Sequence, residues 1–257
     1  MSHPDDKLRV NLPPDPNPKP LRFRLPPGSW DTHFHLYGPP HRFPYVEDRR
    51  YTPPAAPLEH YLALINHLGI DRGVVVHPMV HGFENWVTLD ALKRTDGRLR
   101  GMIRADATLT PARMKELHAG GVRGLRMALR KRDGHVFSPD LFNAMARLMA
   151  PLNWALDLQI DGDAILELSP LIRAAPVPVI IDTFGYIDFR KGGAGQPAAR
   201  EMIALLRTGR VFVKLHGANR FMDMGVAFAE VVGLARAYIE AAPDQVIWGT
   251  EIGRAHV

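Results

Sequence analysis

The sequence predicts an α/β fold of the (β/α)8 TIM-type barrel class. Apolar strand-like runs alternate with helix-like segments along most of the 257 residues, which is the order of a repeated strand–helix unit. Runs such as 73–76 and 177–181 are apolar on both faces and are therefore typical of parallel strands covered by helices. Eight strands with seven intervening helices indicate a barrel that ends before its last helix. A doubly wound open sheet is the alternative, but no glycine-rich phosphate loop follows the first strand.

The individual elements have sequence signals at their ends. Strands are predicted at 29–37, 72–76, 99–105, 122–129, 154–160, 177–182, 210–215 and 245–249. Helices are predicted at 58–68, 85–93, 111–119, 139–149, 164–174, 197–208 and 228–241. Pro111, Pro139 and Pro197 lie near a first turn, where the missing N–H of proline costs nothing. Gly69 and Gly120 lie where helices should end.

The chain divides into three segments. Residues 1–28 are rich in proline and charge and are expected to form an extended leader. Residues 29–250 are expected to form the catalytic barrel. Residues 251–257 are predicted to be a non-native tail, because one reverse translation of them resembles a widely used sequencing adapter. On this hypothesis the natural protein continues, with aspartate in place of Glu251.

Composition narrows the possible classes of function. The chain has no cysteine, so disulfides and thiolate chemistry are excluded, and any metal must be held by His, Asp, Glu or Lys. No apolar run approaches the ~20 residues of a membrane span and no signal core opens the chain, so we expect a cytoplasmic protein without a membrane partner. The net charge of +5 comes from basic residues spread along the chain. This distribution favours a small anionic substrate over nucleic acid as the partner.

Two histidines one residue apart mark the first strand. His33 and His35 lie in the run Trp-Asp-Thr-His-Phe-His-Leu, and alternation along a strand points them to the same face. Two converging imidazoles can hold a metal, polarise a carbonyl or move a proton. The carboxyl end of a barrel strand is where such chemistry is expected. The alternative is that one histidine packs internally and the other hydrogen-bonds a loop.

Basic residues follow the fourth and seventh strands. Arg126 falls inside an apolar run, where an unpaired cation is costly, so it is expected to meet a carboxylate at the mouth of the barrel. Arg130 and Arg132 follow in the loop, where they close on an anion or form a solvated basic turn. Lys214 is a candidate buried cation at the mouth, and Arg220 is a candidate carboxylate clamp in the next loop.

Two further segments contribute candidates for substrate contact. His77 and His81 follow the second strand and are therefore expected at the mouth. The connection 38–57 is long and proline-rich, and loops of this length in compact domains tend to be functional. Tyr51 lies within it. The alternative is a surface loop without a role in function.

With these motifs in place, the chain resembles the amidohydrolase-related barrel hydrolases, especially their 2-pyrone-4,6-dicarboxylate lactonase-like branch. The resemblance covers about residues 30–250 and depends on the segments 31–35, 43–45, 50–53, 77–82, 121–127, 213–215 and 247–250. It implies that His33 and His35 line the active site and that an aspartate after the eighth strand, at the position of Glu251, activates water. It also implies substrate contacts, which fall on Tyr51, Arg126, Arg132 (or Arg130) and Arg220.

The resemblance implies a hydrolase that opens a carboxylate-bearing lactone or a related cyclic ester. The alternatives are a metal-dependent decarboxylase of the same superfamily, or a barrel that binds an anion or RNA without turnover. Thr183 stands after Asp182 where the family usually has histidine, and Gln159 stands where histidine or tyrosine is frequent. These departures leave two cofactor states open, either none required or one divalent, zinc-like metal on His33 and His35.

Overall fold

The computed structural model describes residues 13, 15, 17–49, 51–131, 138–222 and 225–252. Their strands are β1 (Trp30–Phe34), β2 (Arg72–Val76), β3 (Leu99–Ile103), β4 (Val122–Ala128), β5 (Ala155–Gln159), β6 (Val179–Ile181), β7 (Val211–Leu215) and β8 (Val246–Trp248). Their helices are α1 (Leu58–Leu68), α2 (Trp86–Arg94), α3 (Pro111–Ala119), α4 (Pro139–Met149), α5 (Ala164–Ala174), α6 (Pro197–Leu206), α7 (Asn219–Met222) and α8 (Phe228–Ala241).

The eight strands form one parallel sheet in chain order, β1 to β8, with helices between them. This is the TIM-type (β/α)8 fold, so the predicted fold class is confirmed and the doubly wound sheet is wrong. The first strand is shorter than predicted. It ends at Phe34 because the next residue, His35, donates its backbone N–H to Ile252, and Tyr37 pairs with Ala56 in an isolated antiparallel bridge.

The chain forms two compact units, Met1–Arg123 with Gly249–Val257, and Gly124–Trp248. In the first unit, Phe34 on β1 stacks on Tyr61 of α1 with ring centroids 3.3 Å apart. Gly73 on β2 is required by this packing, because a Cβ there would lie 2.0 Å from the Tyr61 hydroxyl oxygen. The close approach of a helix to the sheet thus depends on one missing side chain.

The second unit has its own buried core. Trp154, Phe142 and Leu156 are buried, and the hydroxyl of Tyr238 on α8 donates to the carbonyl oxygen of Phe184 (3.2 Å). Helix α4 begins at Pro139, as its sequence predicts, and the Ser138 hydroxyl accepts from the backbone N–H of Leu141 in the first turn.

The predicted leader (residues 1–28) and the predicted non-native tail (residues 251–257) stay predictions. Residues 17–28 contain no helix or strand. No helix follows β8 up to residue 252, and 253–257 of the predicted tail lie outside the described residues. Nowhere in the described part of the chain is a helix both long and apolar enough to cross a bilayer.

Candidate active site

The paired histidines, His33 in β1 and His35 directly after it, lie together and are buried. Their Nε2 atoms are 3.3 Å apart. His35 donates from Nδ1 to the carbonyl oxygen of Val76 at the end of β2 (2.8 Å), which leaves its Nε2 with a lone pair. The prediction that alternation along the strand brings the two imidazoles to one face is thus met in the geometry.

Glu251 brings a carboxylate to the same two rings. Its backbone N–H donates to the carbonyl oxygen of His33 (2.8 Å), and its φ of +58° turns the chain toward β1. The Oε2 atom lies 3.3 Å from His33 Nε2, and Oε1 lies 3.9 Å from His35 Nε2. Gly249 permits this approach, because a Cβ there would lie 2.6 Å from the His33 Cβ. Two imidazoles and one carboxylate therefore form a buried cluster.

Asp31 fixes this cluster through the backbone. Its fully buried carboxylate accepts from the backbone N–H of His33 (3.0 Å) and of Thr250 (3.0 Å), and from the Thr250 hydroxyl (2.6 Å). These bonds fasten β1 to the residue that precedes Glu251.

The cluster also has the donor set of a metal site. The ligating atoms of His33, His35 and Glu251 lie within 4.8 Å of one another and all three side chains are buried. Imidazole nitrogens with a carboxylate suit Zn²⁺ and related divalent ions. The hydrogen bond from His35 Nδ1 to the Val76 carbonyl oxygen is of the kind that orients a metal-binding histidine. The residues present therefore fit one divalent cation.

An aromatic cluster belongs to the loop 38–57. The hydroxyls of Tyr37 and Tyr51 are hydrogen-bonded at 2.9 Å, and the Tyr45 ring lies 5.0 Å from that of His81. Burial, reinforced by Tyr51, raises the pKa of Tyr45 to about 12. His81 donates from Nδ1 to the carbonyl oxygen of Pro44 (2.9 Å), and burial lowers its pKa despite that bond. Tyr45 and His81 are therefore both neutral at neutral pH.

His77 extends this cluster from the end of β2. It is buried, its ring lies 5.9 Å from that of His81, and its Nδ1 lies 2.9 Å from the Thr88 hydroxyl on α2. The loop itself is fastened to the same segment, because Val46 donates its backbone N–H to Val80 (2.8 Å). The structure thus brings His77, His81 and Tyr51 into one group of side chains.

In the second unit, Arg126 on β4 has the buried carboxylate that its apolar surroundings predict. Its guanidinium lies 2.9 Å from Asp182 after β6, and His216 Nε2 lies 2.6 Å from the other oxygen of that carboxylate. Burial alone would raise the pKa of Asp182, but Arg126 and His216 hold it well below its usual range. The carboxylate is therefore ionised.

Lys214 on β7 is also paired. Its ammonium group bonds to Asp157 on β5, and both side chains are almost completely buried. Burial raises the pKa of Asp157 even though Lys214 opposes the shift. Asp157 stands opposite Arg126 in the register of β4 with β5. Lys214 is thus buried, and its nearest partner is a protein carboxylate.

The remaining arginine candidates are in loops. Arg130 bonds from Nε to Asp161 (3.0 Å), and its guanidinium lies 3.9 Å from the centroid of the Tyr186 ring. Arg220 is half-buried in α7, with its backbone N–H on the carbonyl oxygen of Gly217 (3.1 Å). Arg132 lies outside the described residues.

Sequence reasoning missed the partners of these cations. Asp157 sits within an apolar run at even spacing from Gln159, the same signal that identified Arg126, and could have been found by it. His216 shares a face with Lys214 two residues away, which was a second available signal. The contact of Tyr186 with Arg130 had no local signal, because it depends on a turn after β6.

Buried imidazoles at the end of the first barrel strand, with a carboxylate beyond the eighth, define the class of (β/α)8 hydrolases that activate water. The chain belongs to the amidohydrolase family, whose model matches residues 30–252. It is a hydrolase of that superfamily.

The chain is also similar to individual proteins whose names state a reaction, and to a solved structure. The chain is 40% identical over 248 residues to a 4-sulfomuconolactone hydrolase of Rhizobium radiobacter, with 95% of this chain and 83% of the relative covered. It is 32% identical to a 2-pyrone-4,6-dicarboxylate hydrolase of Comamonas testosteroni, with 91% and 80% covered. An apo crystal structure from Agrobacterium tumefaciens is 25% identical and has a TM-score of 0.79, with 89% and 82% covered.

Proposed function

We propose that this hydrolase opens a lactone ring that carries one or more anionic groups. The observation that carries the proposal is the buried carboxylate of Glu251, 3.3 Å from His33 Nε2 beside a second imidazole. The lactone substrates named for two relatives agree with this chemistry. The partner is a small anionic molecule.

The residues of the cluster suffice for the two proton movements of ester hydrolysis. Glu251 takes a proton from water as general base, and the resulting hydroxide adds to the lactone carbonyl carbon. We assign the Nε2 hydrogen of the imidazole pair to His33, because His35 donates from Nδ1 to the Val76 carbonyl oxygen. When the substrate is bound, His33 directs this hydrogen to the lactone carbonyl oxygen, polarises the carbonyl and stabilises the oxyanion. Collapse breaks the ring C–O bond, and Glu251 returns its proton to the departing alkoxide. The product is a hydroxy acid.

A divalent cation is compatible with the same cluster. His33, His35 and Glu251 would hold it, and when bound it supplies Lewis-acid polarisation of the carbonyl. Asp31 positions the cluster in either case, because it bonds to the backbone N–H of His33 and of Thr250, the residue before Glu251.

Anion recognition is assigned to the basic and aromatic candidates at the strand ends. Arg126 has a fixed orientation because Asp182 and the barrel wall hold it, and a fixed guanidinium loses little entropy on binding a carboxylate. We assign contacts with the substrate to Tyr51, His77, His81, Arg126, Arg130, Arg132, Lys214 and Arg220.

The test is direct. The full chain is incubated with 2-pyrone-4,6-dicarboxylate and with 4-sulfomuconolactone, and loss of the ring is followed by absorbance with product identification by mass. We expect ring opening with addition of one water, and a fall of about 100-fold or more in kcat for His33→Asn. The matched control is His60→Asn, an exposed histidine of α1. Release of carbon dioxide without ring opening would overturn the proposal in favour of a decarboxylase.

A further inference from the structure

We infer that Asp157 is a positioning residue that takes up a proton when an anionic substrate binds beside Arg126 and Lys214. The inference rests on the proposed function, because it requires the charge of the substrate at these two side chains. It gives a role to a buried carboxylate of β5 that the proposed reaction leaves unused. Asp157 acts through Lys214 and through the charge balance of the barrel interior, and no contact with the substrate is assigned to it.

Four charged side chains interact inside the second unit. Arg126 lies 2.9 Å from Asp182, and Lys214 bonds to Asp157. Each of these side chains is at most 3% exposed. The two cationic groups and the two carboxylates balance each other in charge. A substrate carboxylate adds one negative charge to this cluster, and an uncompensated charge is costly in surroundings of low dielectric.

The two carboxylates differ in how many of their oxygens are bonded. Both oxygens of Asp182 are engaged, one by Arg126 and the other by His216 Nε2 at 2.6 Å. Asp157 bonds to Lys214 through Oδ2, and within the described part of the chain its buried Oδ1 has no hydrogen-bond partner. A carboxylate with one unbonded oxygen loses fewer hydrogen bonds on protonation than a carboxylate that is bonded at both. The compensating proton therefore goes to Asp157 Oδ1.

The charged groups that face Asp157 come from β4, from β7 and from the residue after β6. Arg126 and Lys214 favour its ionised form, whereas Asp182 opposes it. Burial has the largest effect, and it holds the pKa of Asp157 above its usual range. A bound anion acts in the same direction as Asp182 and raises this pKa further. Ligand binding and proton uptake therefore favour each other, and the charge of Lys214 then acts on the ligand instead of on Asp157.

The test uses isophthalate as the probe, because it is a dicarboxylate with no lactone bond to open. Calorimetry on the full chain, in buffers of different ionisation enthalpy, gives the number of protons taken up per ligand bound. Above about pH 6 isophthalate is fully ionised, so the protein is what takes up the proton. We expect the wild type to take up about 0.3 to 1 proton, and its affinity to fall by up to ~10-fold per unit of rising pH.

Asp157→Asn holds this position in an uncharged state. The variant should lose the proton uptake and should bind isophthalate about 3- to 30-fold more tightly than the wild type at about pH 8, because the repulsion between two carboxylates is gone. A purely structural role of Asp157 predicts weaker binding instead. Asp163→Asn is the matched control, because it removes an exposed carboxylate of the same unit, paired with Lys191, and should keep the wild-type uptake.

Asp157→Asn/Lys214→Gln removes the pair as a whole, so it guards against a folding defect caused by an unpaired Lys214. This double variant should also show no proton uptake.

Three results would overturn the inference. The first is a wild type that binds no isophthalate or takes up no proton with it. The second is wild-type proton uptake in either Asp157 variant. The third is a folded Asp157→Asn protein that binds isophthalate no more tightly than the wild type at about pH 8. If the uptake follows the inference and no lactone is opened, the role of Asp157 stands and the lactonase proposal fails; lactone opening with any of the three results gives the reverse.

Discussion

Replacing Arg126 with leucine should destabilise the protein by about 3 kcal/mol, near the lower end of the ~3–5 kcal/mol expected when one partner of a buried ion pair is removed. The Arg126 guanidinium is 3% exposed and lies 2.9 Å from the fully buried carboxylate of Asp182. Leucine removes the cation and leaves that charge in a medium of low dielectric. The loss stays near the lower end because His216 Nε2 remains 2.6 Å from the other carboxylate oxygen.

The assay is equilibrium unfolding in urea, with thermal unfolding as a second measurement. A loss of about 3 kcal/mol corresponds to a fall of ~6–12 °C in the unfolding midpoint for a chain of this size. The double variant Arg126→Leu/Asp182→Asn should recover at least half of the loss, because it removes the stranded charge. A loss below about 1 kcal/mol, the size of an exposed pair, would refute the reasoning, as would a double variant no more stable than Arg126→Leu.

Three further outcomes are expected. The folded pKa of Asp182 is depressed, so its contribution to stability is present above the unfolded pKa of ~4 and is lost as pH falls. The difference in unfolding free energy between wild type and Asp182→Asn, measured by urea titration, should therefore shrink at acidic pH. The folded pKa of His81 is also depressed, so the stability of the wild type should rise as pH increases through the unfolded value of ~6.5. The His81→Gln variant should flatten that rise. An unchanged slope would count against a buried neutral imidazole. Thr250→Val should lower kcat with little change in KM, because it removes the hydroxyl that donates a hydrogen bond to Asp31. Thr250→Ser should keep wild-type kinetics. Identical kinetics in the two variants would contradict the positioning role of Asp31.

Much of the fold could be predicted from local patterns. The strand 72–76 and the helix 58–68 match the structure residue for residue, because apolar runs and helical periodicity report the burial of each segment. The first strand was predicted too long, since its end is set by a hydrogen bond from His35 to Ile252, which lies far along the chain. Element type is thus a local property, whereas strand ends depend on distant partners.

The candidate site likewise has features that follow from the local sequence and features that depend on residues far apart in the chain. The shared direction of His33 and His35 follows from alternation along one strand, so it needed no tertiary information. The pairing of Lys214 with Asp157 joins residues 57 positions apart, and no local pattern specifies it. The positive φ of Glu251 was equally invisible, because the residue is held there by a hydrogen bond to β1.

That positive φ bears on the prediction of aspartate at position 251. Aspartate enters the left-handed region more readily than most residues, and it is one methylene shorter than glutamate. At this position it would leave more room for water between the carboxylate and His33, which Glu251 now approaches to 3.3 Å. We therefore expect Glu251→Asp to match or exceed wild-type kcat.

The most direct measurement is the dependence of kcat/KM on pH for lactone opening, in wild type, Glu251→Asp and Glu251→Gln. The account predicts an acidic limb from one carboxylate in the first two proteins, and in Glu251→Gln a rate lower by about 100-fold or more with that limb gone. Lactone opening by Glu251→Gln at the wild-type rate, with the same acidic limb, would contradict it.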